Sequence, residues 1–216
     1  MESDLLKKYT AVIGCDEVGR GPIAGPVNAC AVRIHEPDLI NRLRELNITD
    51  SKKLNDKKRN HILKTLNIDT NQIIIGQKYK CEVDQYSFEY CVTEHGPEEI
   101  DQMNILQASL SAMKMASQKL AKKNDYILID GNKTFESENE LLAVVKGDSK
   151  MVSIGMASII AKVFRDEKMK KFDRLYPGYS LNKHAGYPTK EHRLAVQKIG
   201  PSPIHRKTFK GVREFI

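Results

Sequence analysis

The chain is organised around the segment AVIGCDEVGRGPIAGPVNACAV, residues Ala11–Val32. Its first part, Ala11–Cys15, is a short apolar run typical of a buried strand. Asp16 and Glu17 follow at once and place two carboxylates where that strand ends. Glycines and prolines then predict a shaped loop rather than a helix, and Val27–Ile34 returns to strand character. The segment therefore predicts two strands joined by a loop that begins with an acidic pair.

Length and composition limit the class of protein that this sequence can be. With 216 residues, of which 40% are hydrophobic and 29% charged, the chain can bury a core as an ordinary soluble domain. No apolar run approaches the ~18 residues that span a bilayer, and the opening MESDLLKKYT lacks the apolar stretch of a signal peptide. We therefore expect a cytoplasmic protein with no membrane partner.

Cysteine spacing argues against a zinc site. No Cys-x-x-Cys pair occurs, which predicts reduced thiols packed in the interior of the fold. The four cysteines are Cys15, Cys30, Cys81 and Cys91.

Charge is distributed unevenly along the chain. The net charge is +7, with an isoelectric point of about 9.1. Residues 149–216 hold 15 Lys and Arg against 5 Asp and Glu, whereas residues 1–148 hold 20 against 23. A basic C-terminal part beside an acid-bearing N-terminal part suggests a polyanion held against a carboxylate site. The alternative is that the lysines are simply solvated.

The rest of the chain shows helical and strand patterns without an internal repeat. Helices are predicted over Glu36–Leu46, from Asp50 or Ser51 to about Leu66, over Glu82–Tyr90, Pro97–Lys122 and Ser153–Leu175, and from Thr189 to Ile199. Further strands are predicted over Gln72–Lys80, Asp125–Asp130 and Leu141–Lys146. Short connections favour antiparallel pairing of the first three strands, and intervening helices favour parallel pairing of the last two. An α/β fold with a mixed five-stranded sheet, flanking helices and a C-terminal helical segment is expected.

Acidic residues follow three of the predicted strands. Asp16 follows the first, Asp130 ends the fourth, and Asp148 lies just beyond the fifth. Ligand sites of α/β sheets gather at the carboxyl ends of strands, so these acids can converge. With Glu17 they form an oxygen-rich cluster that suits Mg²⁺ or Mn²⁺ rather than zinc, because a cation would neutralise their repulsion. For each acid alone, a turn cap or a surface charge is the competing interpretation.

Several motifs together resemble one family. GCDEVGRGPIAGPV resembles the opening signature of the bacterial type II ribonucleases H, ribonuclease HII. The later motifs follow in the family's order and are YILIDGN (126–132), VVKGDSK (144–150), ASIIAKVFRDEKM (157–169), HAGYPT (184–189) and HRKTF (205–209). The resemblance covers nearly the whole chain. It implies a single ribonuclease H-like catalytic domain over residues 1–216, including the basic helical part from about residue 149.

The resemblance also implies an activity. Such an enzyme is a metal-dependent endoribonuclease that cuts RNA in RNA/DNA hybrids and ribonucleotides embedded in duplex DNA. It cuts on the 5′ side of the ribonucleotide, leaves 5′-phosphate and 3′-hydroxyl ends, and serves in ribonucleotide excision and primer removal. By the same resemblance we expect a monomer with two Mg²⁺ or Mn²⁺ ions. The catalytic and metal-binding residues implied are Asp16, Glu17, Asp130 and Asp148.

Substrate contacts are implied in the same way. Gly19, Arg20 and Gly21 resemble the element that reads the 2′-hydroxyl, and Tyr187 matches the family's junction tyrosine. A tight turn and a packed tyrosine are the respective alternatives. Further candidates are Ser51, Lys52 and Lys53 in DSKKL, Ser158, Lys162 and Arg165 on one helical register, and His184. Asp166 is expected to pair with a basic neighbour instead.

One residue departs from the family's pattern, and two other functions compete with the ribonuclease activity. Met156 stands where the family commonly has a small residue, which puts the local helix position in question. A DNA junction resolvase of the same fold would have no 2′-hydroxyl to read, so Tyr187 and the loop at 19–21 argue against it. A non-catalytic nucleic-acid-binding module would not need acids at the centre of an anion site.

Overall fold

The structure is a computed structural model and describes residues 1–46, 48 and 54–216. The strands are β1 Ala11–Val18, β2 Val27–Ile34, β3 Lys78–Val83, β4 Tyr86–His95, β5 Asp125–Asp130 and β6 Leu141–Val144. The helices are α1 Glu2–Leu5, α2 Pro37–Glu45, α3 Asp56–Thr65, α4 Pro97–Met103, α5 Ile105–Leu120, α6 Val152–Leu175, α7 Leu181–His184 and α8 Lys190–Ile199.

The strands form one mixed sheet in the order β3-β4-β2-β1-β5-β6. The first four pair antiparallel, and β1, β5 and β6 pair parallel. The predicted mixed sheet with flanking helices is confirmed, but its predicted count of five strands is wrong, because the sheet has six. The antiparallel and parallel parts of the sheet join at β1.

The additional strand comes from a hairpin that the sequence interpretation took for a helix. Glu82–Tyr90 is not helical; β3 and β4 meet at a turn in which Asp84 has φ +54°. Tyr86, Phe88 and Tyr90 pack toward one core cluster, a period-two pattern that belongs to a strand. The predicted strand Gln72–Lys80 is likewise wrong in its first part, because β3 begins only at Lys78.

Two helix boundaries also differ from the predictions. The predicted helix Pro97–Lys122 breaks at Asn104, where φ is +67°, and the Asn104 side chain caps α5 by accepting from the amides of Leu106 and Gln107. Helix α3 begins at Asp56 with Asn55 as its N-cap. The predicted cap at Asp50 or Ser51 lies outside the described residues. Thr189 caps α8 as predicted, by accepting from His192 N.

Helices α5 and α6 cover opposite faces of the sheet. On β1, Ile13 and Cys15 belong to the cluster with α5, whereas Val12 belongs to the cluster with α6. A Cβ placed on Gly14 would lie 2.3 Å from the Ile154 backbone nitrogen, so α6 crosses β1 in direct backbone contact. Since side chains alternate along a strand, Asp16 emerges on the α6 face.

The N-terminal helix anchors the start of α6. Both carboxylate oxygens of buried Glu2 accept hydrogen bonds there, from Val152 N at 2.7 Å and from Ser153 N at 2.9 Å. An acidic side chain at a helix N-terminus satisfies free amide groups and interacts favourably with the helix dipole. This contact fixes the helix that carries several candidate site residues.

Met156 and the four cysteines all lie in the core. Met156 is fully buried in the cluster under α6, so the fold accommodates its extra volume. The four cysteines are buried and free, as predicted. Within residues 1–46, 48 and 54–216, no helix is long and apolar enough to cross a membrane.

Candidate active site

Three predicted acids meet near the ends of β1 and β5. Asp16 and Glu17 lie within β1, which continues to Val18, and the prediction that they follow the strand is wrong, because both residues still pair with β2. Strands β1 and β5 pair in parallel with Cys15 opposite Ile129, which makes Asp16 and Asp130 the next residues on adjacent strands. Asp16 is only 6% exposed. The carboxylates edge a cavity of about 400 Å³, lined by Asp16, Glu17, Val18, Arg59, Asp130, Ser158, Lys162 and Tyr187.

The fourth predicted acid lies behind Asp130. Asp148 sits in a 3₁₀ turn, Gly147–Ser149, and is almost fully buried. Oδ1 of Asp130 accepts hydrogen bonds from Gly147 N at 2.6 Å and from Asp148 N at 3.4 Å. The turn therefore orients Asp130, and Asp148 is not among the residues that line the cavity.

The acids repel one another. Burial raises the pKa of Asp16 well above its usual value, and the charges of Glu17 and Asp130 raise it further. Burial also raises the pKa of Glu17, against the opposing effect of the Arg20 guanidinium 3.3 Å away. Such a cluster is stabilised by a cation. In the described part of the chain, however, no three acidic, histidine or cysteine side chains already lie close enough together to hold a metal ion.

A buried arginine holds the glycine loop between β1 and β2. Arg206 is fully buried. Its guanidinium donates to the carbonyl oxygens of Gly19 at 2.6 Å, Pro22 at 2.8 Å, Gly25 at 3.0 Å and Arg20 at 3.1 Å. In a trans peptide unit the C=O and N–H point in opposite directions. The amide hydrogens of Arg20 and Gly21 therefore face away from Arg206, on the other side of the loop.

A second buried arginine supports the same loop. Arg165 donates to the carbonyl oxygens of Pro26 at 3.1 Å, Ala24 at 3.2 Å and Ala185 at 2.9 Å. Gly19 has φ +95°, and a Cβ there would lie 2.3 Å from Nε of Arg165. Glycine is therefore required at this position for both its backbone conformation and its lack of a side chain.

Tyr187 stands against this loop. A Cβ on Gly21 would lie 3.2 Å from Cε1 of the Tyr187 ring, so ring and loop are in near contact. Tyr187 is 42% exposed and lines the acidic cavity, unlike a tyrosine packed under a loop. The loop, the aromatic ring and the carboxylates thus share one opening.

A second groove continues from the first. It has a volume of about 310 Å³, and Arg59, Lys162 and Tyr187 line both. Its cations are partly neutralised, because Lys162 pairs with Asp166 at 2.7 Å and Lys170 with Glu167 at 2.6 Å. The pairing expected for Asp166 is confirmed. A polyanion would have to compete with these carboxylates for the lysines.

The structure brings together most, but not all, of the predicted substrate residues. Ser158 and Lys162 line the cavity, and His184 lines the second groove. Arg165 does not reach either: it lies on the same helix but turns into the core, where its donors serve backbone carbonyls. Ser51, Lys52 and Lys53 lie outside the described residues.

Two residues of this region were not predicted. Arg59 lines both grooves, and its only sequence signal is its place in the first turns of a basic helix. Arg206 belongs to the HRKTF motif, but a single arginine in a basic segment is ordinarily a surface charge. Its role depends on a contact between segments almost the whole chain apart.

Comparison with known proteins identifies the family. The sequence model of ribonuclease HII matches residues 13–212. A ribonuclease HII of Francisella tularensis subsp. tularensis is 42% identical over 202 residues, which cover 94% of this chain and 96% of that protein.

Solved structures agree with this assignment. The crystal structure of ribonuclease H2 from Pyrococcus horikoshii superposes with a TM-score of 0.71 and 27% identity, covering 95% of this chain and 96% of that one. A Bst ribonuclease HIII crystallised with Mn²⁺ shares the fold, with a TM-score of 0.62 and 18% identity over 99% of this chain and 71% of that one. The chain therefore belongs to the ribonuclease HII family and is a ribonuclease H, an endonuclease.

Proposed function

We propose that this protein hydrolyses the phosphodiester bond on the 5′ side of a ribonucleotide, in RNA/DNA hybrids and in duplex DNA with embedded ribonucleotides. The observation that carries the proposal is the meeting of Asp16, Glu17 and Asp130 in one cavity that Tyr187 also lines. The products are a 3′-hydroxyl and a 5′-phosphate.

The donor set fits Mg²⁺ or Mn²⁺. The ligands would be the carboxylates of Asp16, Glu17 and Asp130, with Asp148 as the fourth acid beside them, and hard divalent cations prefer oxygen. When bound, a pair of such ions supplies Lewis-acid stabilisation of the phosphoryl group and a more acidic water. Because the raised pKa values of Asp16 and Glu17 reflect burial and mutual repulsion, we expect cation binding to lower both.

Backbone contacts hold these carboxylates for that task. Oδ1 of Asp16 accepts from Glu17 N at 2.8 Å, and Oδ1 of Asp130 accepts from Gly147 N. Arg20 pairs with Glu17 at 3.3 Å and limits its rotation. The acids would therefore bind and orient the metal ions, and hydrolysis needs no histidine as general base.

Recognition of the ribonucleotide falls to the loop and to Tyr187. The amides of Arg20 and Gly21, turned away from Arg206, can donate to a 2′-hydroxyl, the group that distinguishes RNA from DNA. The exposed Tyr187 ring can stack on the adjacent sugar. Lys162 and Arg59 contact the flanking phosphates, and Lys162 exchanges Asp166 for phosphate as it does so.

The wider biological setting stays a prediction. We propose a single catalytic domain over residues 1–216 that acts as a monomer in the cytoplasm, in ribonucleotide excision and primer removal. The cores on both sides of the sheet and the arginine contacts between residues 19–26 and 165–206 are consistent with one folding unit.

The site assignment is tested by replacing its acids with isosteric amides. Asp16→Asn and Asp130→Asn are expected to lower cleavage of a long RNA/DNA hybrid by at least about 100-fold with Mg²⁺ or Mn²⁺. Asp38→Asn, an exposed acid in the first turn of α2, is the matched control and keeps full activity. Full activity of either site variant would overturn the assignment.

A further inference from the structure

Two buried histidines and a third that is half-buried form a cluster next to Tyr187. His192 on α8 and His205 in the following segment are almost fully buried, and His184 stacks on His192 with ring centroids 4.5 Å apart. The Tyr179 ring lies 4.7 Å from His205. In the described part of the chain, no carboxylate hydrogen-bonds to any of the three rings. The proposed hydrolysis uses none of these imidazoles directly.

Hydrogen bonds determine where each proton lies. Nδ1 of His205 accepts from the backbone N–H of Ser202 at 3.0 Å and lies 2.8 Å from the Ser202 hydroxyl, which can donate to it as well, so in the neutral ring this nitrogen carries no proton. A neutral His205 then has its proton on Nε2, which faces Nε2 of His192 at 3.0 Å. His192 accepts there and carries its own proton on Nδ1, directed at the Tyr187 carbonyl oxygen 3.0 Å away. A row of hydrogen bonds therefore runs from Ser202 through His205 and His192 to the carbonyl oxygen of Tyr187.

These hydrogen bonds favour neutral rings. A second proton on either imidazole would set two N–H groups against each other, between the rings or at Ser202. Burial, together with the neighbouring histidines, lowers the pKa of His192 and of His205 to about 4. His184 fits the same pattern, because its Nε2 faces the Tyr179 carbonyl oxygen at 2.9 Å and its Nδ1 accepts from Gly186 N at 3.3 Å.

The two ends of this row of hydrogen bonds lie on opposite sides of the contact between the glycine loop and Tyr187. His205 forms an antiparallel bridge with Ala24 of the glycine loop. His192 holds the carbonyl of Tyr187, whose ring touches Gly21. The histidine pair thus spans from the loop to the tyrosine and sets the distance between them.

We infer that His205 and His192 are positioning residues: as a neutral hydrogen-bonded pair they place Tyr187 against Gly21, and so they determine the preference for a ribonucleotide at an RNA–DNA junction. The inference rests on the proposed function of the loop and Tyr187. It concerns specificity, because neither ring reaches the carboxylates. Loss of the pair is therefore expected to affect junction substrates more than long hybrids.

Paired variants separate positioning from packing. His205→Gln keeps a donor where Nε2 stood, and His192→Asn keeps a donor where Nδ1 stood, whereas His205→Leu and His192→Leu remove them. We expect each Leu variant to lose about tenfold in kcat/KM on a duplex with one ribonucleotide, equivalent to about 1.4 kcal/mol, and less than twofold on a long hybrid. The Gln variant and the surface control His35→Leu keep the wild-type ratio of the two activities, whereas His192→Asn, which holds the Tyr187 carbonyl but no longer accepts from His205, shifts the ratio part of the way.

The proton positions are measured independently on the wild-type protein. Long-range ¹H–¹⁵N NMR spectra at pH 7, assigned through the same variants, are expected to show His205 protonated on Nε2 and His192 on Nδ1. The opposite tautomers, an imidazolium at either site, or equal losses on both substrates would overturn the inference. Predicted tautomers in a wild-type protein that cuts neither substrate would instead overturn the proposed function.

Discussion

Arg206 donates a 2.6 Å hydrogen bond from its guanidinium to the carbonyl oxygen of Gly19, joining the C-terminal segment to the loop after the first strand. Four loop carbonyls depend on this single side chain. The planar fork of arginine matches several acceptors at once, and an ammonium group does not. The orientation of the Arg20 and Gly21 amides follows from this contact.

Replacing Arg206 therefore tests how the loop is held. Arg206→Lys leaves at least one buried carbonyl without a donor, which costs about 1–3 kcal/mol in the free energy of unfolding. Urea denaturation measures this loss, with the exposed Arg44→Lys as control. If both variants unfold at the same midpoint, the guanidinium does not support the loop.

The Tyr187 ring is expected to recognise the substrate by stacking of its aromatic face, without a need for its hydroxyl group. Tyr187→Ala should lower kcat/KM on a duplex with one ribonucleotide by about tenfold, at the low end of the roughly 1–3 kcal/mol that an aromatic ring contributes when it stacks on a base, because a sugar offers the ring a smaller face. Tyr187→Phe keeps the ring and should stay within about twofold of wild type. Steady-state cleavage of this duplex and of a long hybrid measures both. Equal losses on the two substrates would show that Tyr187 serves folding and not recognition.

Gly14 is expected to tolerate no side chain. Gly14→Ala would bring its Cβ to 2.3 Å from the Ile154 backbone nitrogen, and such overpacking costs about 3 kcal/mol or more in the free energy of unfolding. Gly96→Ala is the control, because its Cβ would meet Glu99 at an ordinary 3.6 Å. Thermal unfolding of the two variants compares them. A Gly14→Ala protein as stable as Gly96→Ala would contradict the direct contact of α6 with β1.

The buried histidines predict a loss of stability in acid. His192 and His205 have pKa values of about 4 in the folded protein, below the ordinary 6.5, so between these limits the unfolded chain binds protons that the folded protein does not. Stability therefore falls as the pH drops below about 6.5, by up to about 1.4 kcal/mol per pH unit for each histidine. Urea unfolding at pH 7 and pH 5 measures the slope.

A double variant isolates this effect. His192→Asn with His205→Gln removes both titrating rings and leaves every carboxylate in place. It should lose less stability than wild type between pH 7 and pH 5. An equal loss in both proteins would mean that other groups account for the acid sensitivity.

The sequence predicted those parts of the fold whose signals are local. Strands β1, β2 and β5 follow from apolar runs that end at acids or turn residues, and Thr189 was identifiable as a cap from the pattern beside it. The β3–β4 hairpin was missed because its alternating aromatics are interleaved with polar residues, and Glu82 and Glu89 also suit a helix. Asn104 interrupts a continuous helical pattern through a backbone conformation, which composition does not reveal.

In the candidate site, too, residues with local sequence signals were predicted and residues that depend on distant contacts were not. The acids were predicted as a group because strand ends converge, and the structure brings Asp16, Glu17 and Asp130 to one cavity. Arg165 was predicted from helical spacing to face substrate, but spacing does not distinguish a cavity from the adjacent core. The histidine pair and Arg206 depend on contacts between distant segments, so only the folded chain shows them.

The most direct test is cleavage of an end-labelled DNA duplex that contains one ribonucleotide, with Mg²⁺, with Mn²⁺ and with a chelator. We predict a single cut on the 5′ side of the ribonucleotide that requires metal and leaves a 3′-hydroxyl end. Binding of the duplex by folded protein, with no cut at the ribonucleotide under either metal, would contradict the account.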